Sequence, residues 1–139
     1  MTSAMPAPTS PEVDAFLARL PEAQRLALED VRTTLHALVP EATEVLSNGV
    51  PTLIHFGPLI GFGPHGASRT QCALYVMQAK LLASMRSAIA PHTVSGGTII
   101  FTPEQPPSVA LLERLARDRA RENEAAHIRS AQRNAPKRK

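Results

Sequence analysis

The chain has 139 residues, enough for one domain with a hydrophobic core of its own. Apolar residues account for 43% and charged residues for 19%, a balance typical of a globular protein rather than a disordered one. No apolar run approaches the roughly 20 residues that a membrane-spanning helix needs. The first eleven residues contain no apolar stretch that could act as a secretory signal, and one cysteine cannot form an internal disulfide. We therefore expect a cytoplasmic protein without a membrane partner.

The net charge of +3 is unevenly distributed along the chain. Residues 126–139 carry five basic side chains and no acidic one, whereas residues 1–125 carry 10 basic and 12 acidic side chains. A nucleic-acid-binding protein is expected to carry its basic residues on a folded face. We therefore expect no specific nucleic-acid partner. The domain limits that we expect are a disordered N-terminal tail at residues 1–9, a single domain at residues 10–125 and a basic C-terminal tail at residues 126–139.

Two helices are predicted at the start of the domain. Ser10 followed by Pro11 is typical of a helix N-terminus. Pro21 interrupts the first pattern and starts a second helix, which Pro40 ends. Apolar side chains recur at helical spacing in both segments and predict one buried face on each: Val13, Phe16, Leu17, Leu20, Leu28, Val31, Leu35 and Leu38.

Short apolar segments separated by turn residues predict an antiparallel sheet in the middle of the chain. Asn48-Gly49 is a strong hairpin signal. Strands are predicted at residues 50–56, 59–62, 72–76 and 98–101. Pro51 is expected in an edge strand or at a bulge, because proline cannot donate a hydrogen bond within a sheet. Residues 92–97 are expected to form a loop.

Two further helices complete an α+β prediction. The segment 78–90, which Pro91 ends, is expected to bury Leu82, Met85 and Ile89. The last helix starts near Ser108 and is expected to bury Val109, Leu112 and Leu115. Beyond Leu115 only Ile128 is large and apolar, and oppositely charged pairs such as Glu113 with Arg117 and Asp118 with Arg121 predict an exposed helical stem.

Five segments, taken in order, resemble the YdhG-like (DUF1801) family. They are LARLPEAQRLALEDVRTTLHALVPEATEVLSNGVP, PLIGFG, ALYVM, SGGTIIFT and a Pro-led helix that ends in DRARENEA. The resemblance covers about residues 11–125 and implies a two-layer domain in which helices cover a small curved antiparallel sheet. Because the family is often grouped with frataxin-like proteins, the resemblance also implies an iron chaperone.

Two segments depart from the pattern of that family. Family members usually carry a lysine where this chain has Gly96, and a basic or polar residue where it has Ile100. A polar residue and a histidine commonly stand where this chain has Gln71 and Cys72. These departures weigh against any anion or metal role that depends on those side chains.

Residues 61–66 spell G-x-G-x-x-G, the fingerprint of a dinucleotide site. That fingerprint needs a helix after the glycines, whose backbone N–H groups hold the pyrophosphate. Pro64 lacks an N–H, and the next predicted element is a strand. We therefore interpret the segment as a loop between strands.

Gly96-Gly97-Thr98 is interpreted first as a tight entry into a strand and second as a backbone nest for an anion. If the loops meet, His65, Arg69, Gly96, Gly97 and Thr98 would form a candidate ligand pocket. No cofactor and no catalytic residue can be assigned from the motifs.

The metal-binding signals are weak. No two of the five histidines stand three or four residues apart, and no Cys-x-x-Cys motif exists. Glu22 and Glu29 share a helix face and are the carboxylates that iron binding would use. Interspersed arginines neutralise this face, which favours a solvated surface. Cys72 alternates with apolar residues on one strand face and is expected to be a buried, inert thiol.

Three functions follow, in this order. The first is a non-enzymatic binding or interaction module that uses a concave sheet or a helix groove to take an unknown protein or small-molecule ligand. The second is an iron or other metal chaperone, implied only by the resemblance. The third is an enzyme that acts on a small substrate. The exposed C-terminal helix also leaves a homodimer open.

Overall fold

Six strands and five helices make up the part of the chain that the computed structural model describes, residues 9–134. The helices are α1 (Pro11–Ala18), α2 (Glu22–Leu38), α3 (Ala79–Ser84), α4 (Arg86–Ile89) and α5 (Val109–Asn134). The strands are β1 (Thr43–Ser47), β2 (Val50–Ile54), β3 (Pro58–Pro64), β4 (Cys72–Tyr75), β5 (Thr93–Ser95) and β6 (Thr98–Phe101). The α+β fold expected from the sequence is confirmed.

Both predicted tails lie partly outside the residues that the structure describes. Of residues 1–9 only Thr9 is described, and residues 135–139 of the basic tail also lie outside the described part. The helix α5 continues without a break through residues 126–134, so the expected domain end at residue 125 falls inside a helix. Alanine, arginine and glutamine, which favour helices, are frequent in this stretch.

All six strands form one antiparallel sheet in the order β1-β2-β3-β4-β6-β5. The hairpin between β1 and β2 turns at Asn48 and Gly49, whose φ angles of 51° and 77° fit the predicted two-residue turn. The predicted loop at residues 92–97 is wrong in one respect, because Thr93–Ser95 forms the edge strand β5. A strand of three residues is too short to show a period of two in the sequence.

Pro51 does not lie in an edge strand, since β2 is paired on both sides. It does not lie at the bulge of β2 either, which is found between Leu53 and Ile54. The pairing of β2 with β3 begins only at Thr52, whereas Pro51 is paired with Leu46 of β1. Pro51 therefore lies in a central strand. Because β2 and β3 are not yet paired at this position, the missing N–H of Pro51 removes no hydrogen bond between them.

One face of the sheet and the helices enclose the core, to which each of the five helices contributes buried apolar residues. Cross-strand partners on this face are fully buried and lie in one cluster with the apolar residues of α1, α2 and α5: Leu53, Ile60, Phe62, Leu74 and Ile99. The Ser10 hydroxyl accepts the N–H of Val13, which confirms the predicted start of α1. Within this core, α5 packs against both β3 and α2.

Two helix predictions need correction. The predicted helix at residues 78–90 is divided into α3 and α4 at Met85, although Leu82, Met85 and Ile89 are buried as expected. In α5, Val109 is 63% exposed, and Leu111 is buried together with the expected Leu112 and Leu115. Val109 lies two residues before Leu111, which is about 200° of rotation around the helix and points its side chain away from the core.

Candidate ligand-binding cleft

The helix α5 binds the carbonyl groups of the turn between β2 and β3. Arg119 is buried and donates from Nε to the carbonyl oxygen of Leu59 at 3.1 Å and from Nη2 to that of Pro58 at 3.0 Å. Its third nitrogen, Nη1, donates to the carboxylate of Glu122 at 2.9 Å. Because a guanidinium group has no acceptor and five donors, these carbonyl and carboxylate oxygens satisfy it well in a buried position.

Asn123 continues this contact one turn further along α5. Its Nδ2 lies 3.1 Å from the carbonyl oxygen of His55, 3.4 Å from that of Gly57 and 2.9 Å from that of Pro58. The turn itself is closed by a 2.8 Å hydrogen bond from the N–H of His55 to the carbonyl oxygen of Gly57. The side chains of α5 therefore determine where this turn lies.

The same turn holds Phe56 in an uncommon conformation. Its φ of 56° lies in the left-handed region, which a large side chain rarely adopts. The ring is 53% exposed and packs against the imidazole of His127, with ring centroids 4.5 Å apart. The neighbouring His55 is mostly buried, and its Nε2 lies 2.7 Å from Oε2 of Glu124. His127 and Glu124 of α5 thus contact the two residues at the tip of the turn, Phe56 and His55.

A cleft with a volume of about 300 Å³ lies between the C-terminus of α2, this turn and α5. Its apolar lining consists of Leu38, Val39, Ala116 and Ala120. Its polar lining consists of Glu41, His55, Glu113, Arg117, Arg121 and Glu124. A second depression shares Glu41, His55 and Glu124 with it and extends the cleft to Phe56.

The charges around the cleft are only partly compensated. Arg117 and Glu113 form the predicted ion pair at 3.1 Å, and His55 is paired with Glu124. The predicted pair of Asp118 with Arg121 is wrong, because Arg121 has no ion pair within residues 9–134. The side chain lines the cleft instead.

Sequence reasoning did not find this cleft. Its parts come from the end of one helix, a turn and a distant helix, and His55 and Glu124 are 69 residues apart. One feature of the sequence points to it: on α5, Arg119 and Asn123 stand on the inward side of the helix, where a regular amphipathic helix would carry apolar residues. A buried arginine needs carbonyl or carboxylate partners, so its inward position indicates a polar contact.

The sequence also gave no indication of a buried ionic cluster around Glu44 of β1. Its carboxylate is fully buried and accepts hydrogen bonds from Nη2 of Arg32 at 2.6 Å and from the N–H of Ser10 at 2.8 Å. The Nε2 of His36 lies 2.9 Å from its other oxygen. Burial raises the pKa of Glu44, but the hydrogen bonds from Arg32, Ser10 and His36 outweigh this effect and leave the pKa lowered.

The structure separates the residues of the predicted ligand pocket into two groups. His65 and Arg69 lie in the loop between β3 and β4, whereas Gly96, Gly97 and Thr98 form the β5–β6 turn and the start of β6. Cys72, the first residue of β4, is paired with Pro64, and Tyr75, its last residue, is paired with Thr98. The two groups therefore lie at opposite ends of β4, about 10 Å apart. Ligand binding at either group stays a prediction.

Gly96 has a φ of 58°, which agrees with the interpretation of its segment as a tight entry into a strand. The interpretation of residues 61–66 as a loop is wrong for the first four of them, because Gly61–Pro64 belong to β3. The expectation that a strand and not a helix follows is confirmed, since the next element is β4.

The carboxylates expected for iron binding are engaged with an arginine. Glu22 lies 3.9 Å and Glu29 3.3 Å from the guanidinium of Arg25, and Glu22 is 81% exposed. Within residues 9–134 no group of three or more His, Cys, Asp or Glu side chains is placed to hold a metal ion. Iron binding on this face stays a prediction. Over the same residues, no helix is both long enough and apolar enough to span a bilayer.

The chain matches no protein-family model and no curated protein sequence. Its fold does match a solved structure, so the protein is an α+β protein of a known architecture. The matching structure is the crystal structure of a DUF1801 family protein, YdhG, from Bacillus subtilis, with a TM-score of 0.71 and 19% sequence identity. The match covers 80% of this chain and 90% of that chain, and it confirms the resemblance to a YdhG-like fold.

Proposed function

We propose that this protein is a cytoplasmic, non-enzymatic binding module of the DUF1801 family, and that its ligand site is the cleft between α2, α5 and the β2–β3 turn. The cleft itself carries the proposal. Its volume of about 300 Å³ lies at the lower end of the range of small-molecule sites. Four aliphatic side chains line it together with six polar or charged ones, so that charged groups and not apolar burial would orient a ligand there.

The rigidity of the cleft supports the same proposal. Arg119 and Asn123 bind the carbonyl groups of the turn, and Glu124 holds the imidazole of His55. These contacts exist without a ligand, so binding loses little conformational entropy in the protein. A cleft whose walls are already positioned favours recognition of a small molecule over a role that needs a large rearrangement.

Native mass spectrometry of the full-length protein, purified gently from its own cytosol, tests the proposal. We expect a retained small molecule of defined mass on the wild-type protein. Ala120→Phe places a ring in the cleft and is expected to remove the adduct. Ala110→Phe is the matched control, because Ala110 is exposed on the same helix outside the cleft.

Three outcomes would contradict the proposal. An adduct retained equally by the wild type and by Ala120→Phe would place the ligand elsewhere. A clean mass for the wild type would favour a protein partner or a homodimer, which the same spectrum detects. A mass excess that matches iron would favour the metal-chaperone alternative. A circular dichroism spectrum and a thermal midpoint close to those of the wild type confirm that Ala120→Phe is folded.

A further inference from the structure

Two unpaired charges of opposite sign line the cleft. Within residues 9–134, neither the carboxylate of Glu41 nor the guanidinium of Arg121 lies within 4.0 Å of an opposite charge. The other charged groups of the cleft are paired with each other, Arg117 with Glu113 and Glu124 with His55. A ligand that enters the cleft therefore meets one available negative group and one available positive group.

The C-terminus of α2 adds negative potential beside Glu41. The last carbonyl groups of a helix carry the negative end of the helix dipole, and they attract cations. Pro40 has no N–H to donate back to the carbonyl of His36. Val39 ends the helix in a non-helical conformation, and its own carbonyl accepts the N–H of Ala42 at 3.0 Å. Leu38 and Val39 themselves line the cleft. This end of the cleft favours a positively charged group.

Arg121 provides the complementary end. A guanidinium group presents parallel N–H donors that bind both oxygens of a carboxylate. Because Arg117 is held by Glu113 at 3.1 Å, Arg121 is the guanidinium of the cleft that remains free to bind an anionic ligand. The same cleft also offers aliphatic contacts from Leu38, Ala116 and Ala120.

We infer that the cleft binds a zwitterionic small molecule, an amino acid or a dipeptide with an aliphatic side chain. Its ammonium group lies beside Glu41 and the carbonyl end of α2, and its carboxylate lies against Arg121. The volume of about 300 Å³ corresponds to the share of about ten water molecules, which fits a molecule of this size. This inference rests on the proposed function, since it names the class of ligand for the same cleft.

Titration of the full-length protein followed by NMR tests the inference with four probes. L-Leucine and L-leucyl-L-leucine carry both charges, whereas leucinamide lacks the carboxylate and N-acetyl-leucine lacks the ammonium group. We expect at least one of the two zwitterions to shift the amide signals of His55, Ala116 and Ala120 in a saturable way. The singly charged probes are expected to bind about tenfold more weakly, because each loses one charge-assisted hydrogen bond.

Variants of the two charged residues identify which group binds which charge. Arg121→Gln is expected to remove the preference over leucinamide, and Glu41→Gln is expected to remove the preference over N-acetyl-leucine. Arg114→Gln and Glu104→Gln are the matched controls, since both residues are exposed and lie outside the cleft. Both controls are expected to keep the selectivity of the wild type.

The outcomes separate this inference from the proposed function. Equal affinity for the four probes, or no saturable shift with either zwitterion at millimolar concentration, overturns the zwitterion assignment. If native mass spectrometry still shows an adduct that Ala120→Phe removes, the cleft remains a ligand site for another class of molecule. Leucine-induced shifts that map to a different surface overturn both.

Discussion

Glu44 connects three elements of the fold through one buried carboxylate. It accepts hydrogen bonds from the start of α1 at Ser10 and from Arg32 of α2, and it lies itself in β1. A buried charge is tolerated only where partners replace the water that it has lost. Arg32 also reaches Asp14 at 2.7 Å, so the cluster ties the first helix to the edge of the sheet.

Glu44→Gln is expected to lower the free energy of unfolding by about 3 kcal/mol, because it removes the buried carboxylate and leaves Arg32 with only the exposed Asp14 as an anionic partner. Urea denaturation at neutral pH measures this change. Glu104→Gln, which removes an exposed carboxylate, serves as the control and should change the value by less than about 0.5 kcal/mol. A loss as small as that of the control would mean that Glu44 contributes little to stability.

The same residue predicts a pH dependence. In the folded protein the pKa of Glu44 lies below its ordinary value of 4.5, so its contribution to stability is complete above that value. The contribution is lost as the pH falls through the folded-state pKa. The difference in unfolding free energy between wild type and Glu44→Gln is therefore expected to shrink on acidification. A difference that stays constant from pH 7 to pH 3 would contradict the assignment.

At the scale of elements, α5 packs against the core and also binds the β2–β3 turn. Its first half buries Leu111, Leu112 and Leu115, and its middle carries the Asn123 contacts to the turn. These contacts hold the left-handed conformation of Phe56, which is unfavourable by itself. The position of the cleft thus depends on a helix whose inward face changes from apolar to polar along its length.

Asn123→Ala is expected to loosen this turn. It leaves the carbonyl group of His55 without its side-chain donor, whereas that of Pro58 keeps Arg119, and is expected to cost about 1–2 kcal/mol of unfolding free energy. Hydrogen exchange should show faster exchange at the N–H of His55, which closes the turn. Gln132→Ala changes an exposed amide on the same helix and should leave the turn unchanged. Equal protection in both variants would mean that the turn is stable without α5.

The elements were predictable from the sequence wherever a local rule decides them. Ser10 with Pro11 gives the start of α1, and Asn48 with Gly49 gives the first hairpin. The short strand β5 and the break at Met85 were missed, because neither is long enough to establish a period. The central position of Pro51 depends on where β3 begins to pair, which no neighbouring residue determines.

Long-range contacts explain why the site was harder to predict than the elements. Ser10 and Glu44 are 34 residues apart, and Arg119 is 60 residues from the carbonyl that it binds. Such contacts follow from the packing of finished elements and not from sequence spacing. The predicted pocket assumed that two loops meet, and the register of β4 with its neighbours places them at opposite ends instead.

At the scale of the whole molecule, the reactivity of the Cys72 thiol measures how often the sheet opens. It lies in β4, between β3 and β6, and its side chain is fully buried. Burial, together with the charge of Glu104, raises the pKa of the thiol to about 11. Because the thiolate is the reactive form, the native protein should be nearly inert towards thiol reagents at pH 8.

Reaction of Cys72 with Ellman's reagent is therefore expected to proceed only through unfolding of the core, since Cys72 has no exposed surface in the native fold. If so, Glu44→Gln should accelerate the reaction about a hundredfold, as a loss of about 3 kcal/mol implies. Arg114→Gln, at an exposed position away from Cys72, should leave the rate close to that of the wild type. Reaction of the native wild type at the rate of an exposed thiol would mean that β4 opens without unfolding of the rest of the core, and the prediction would then be wrong.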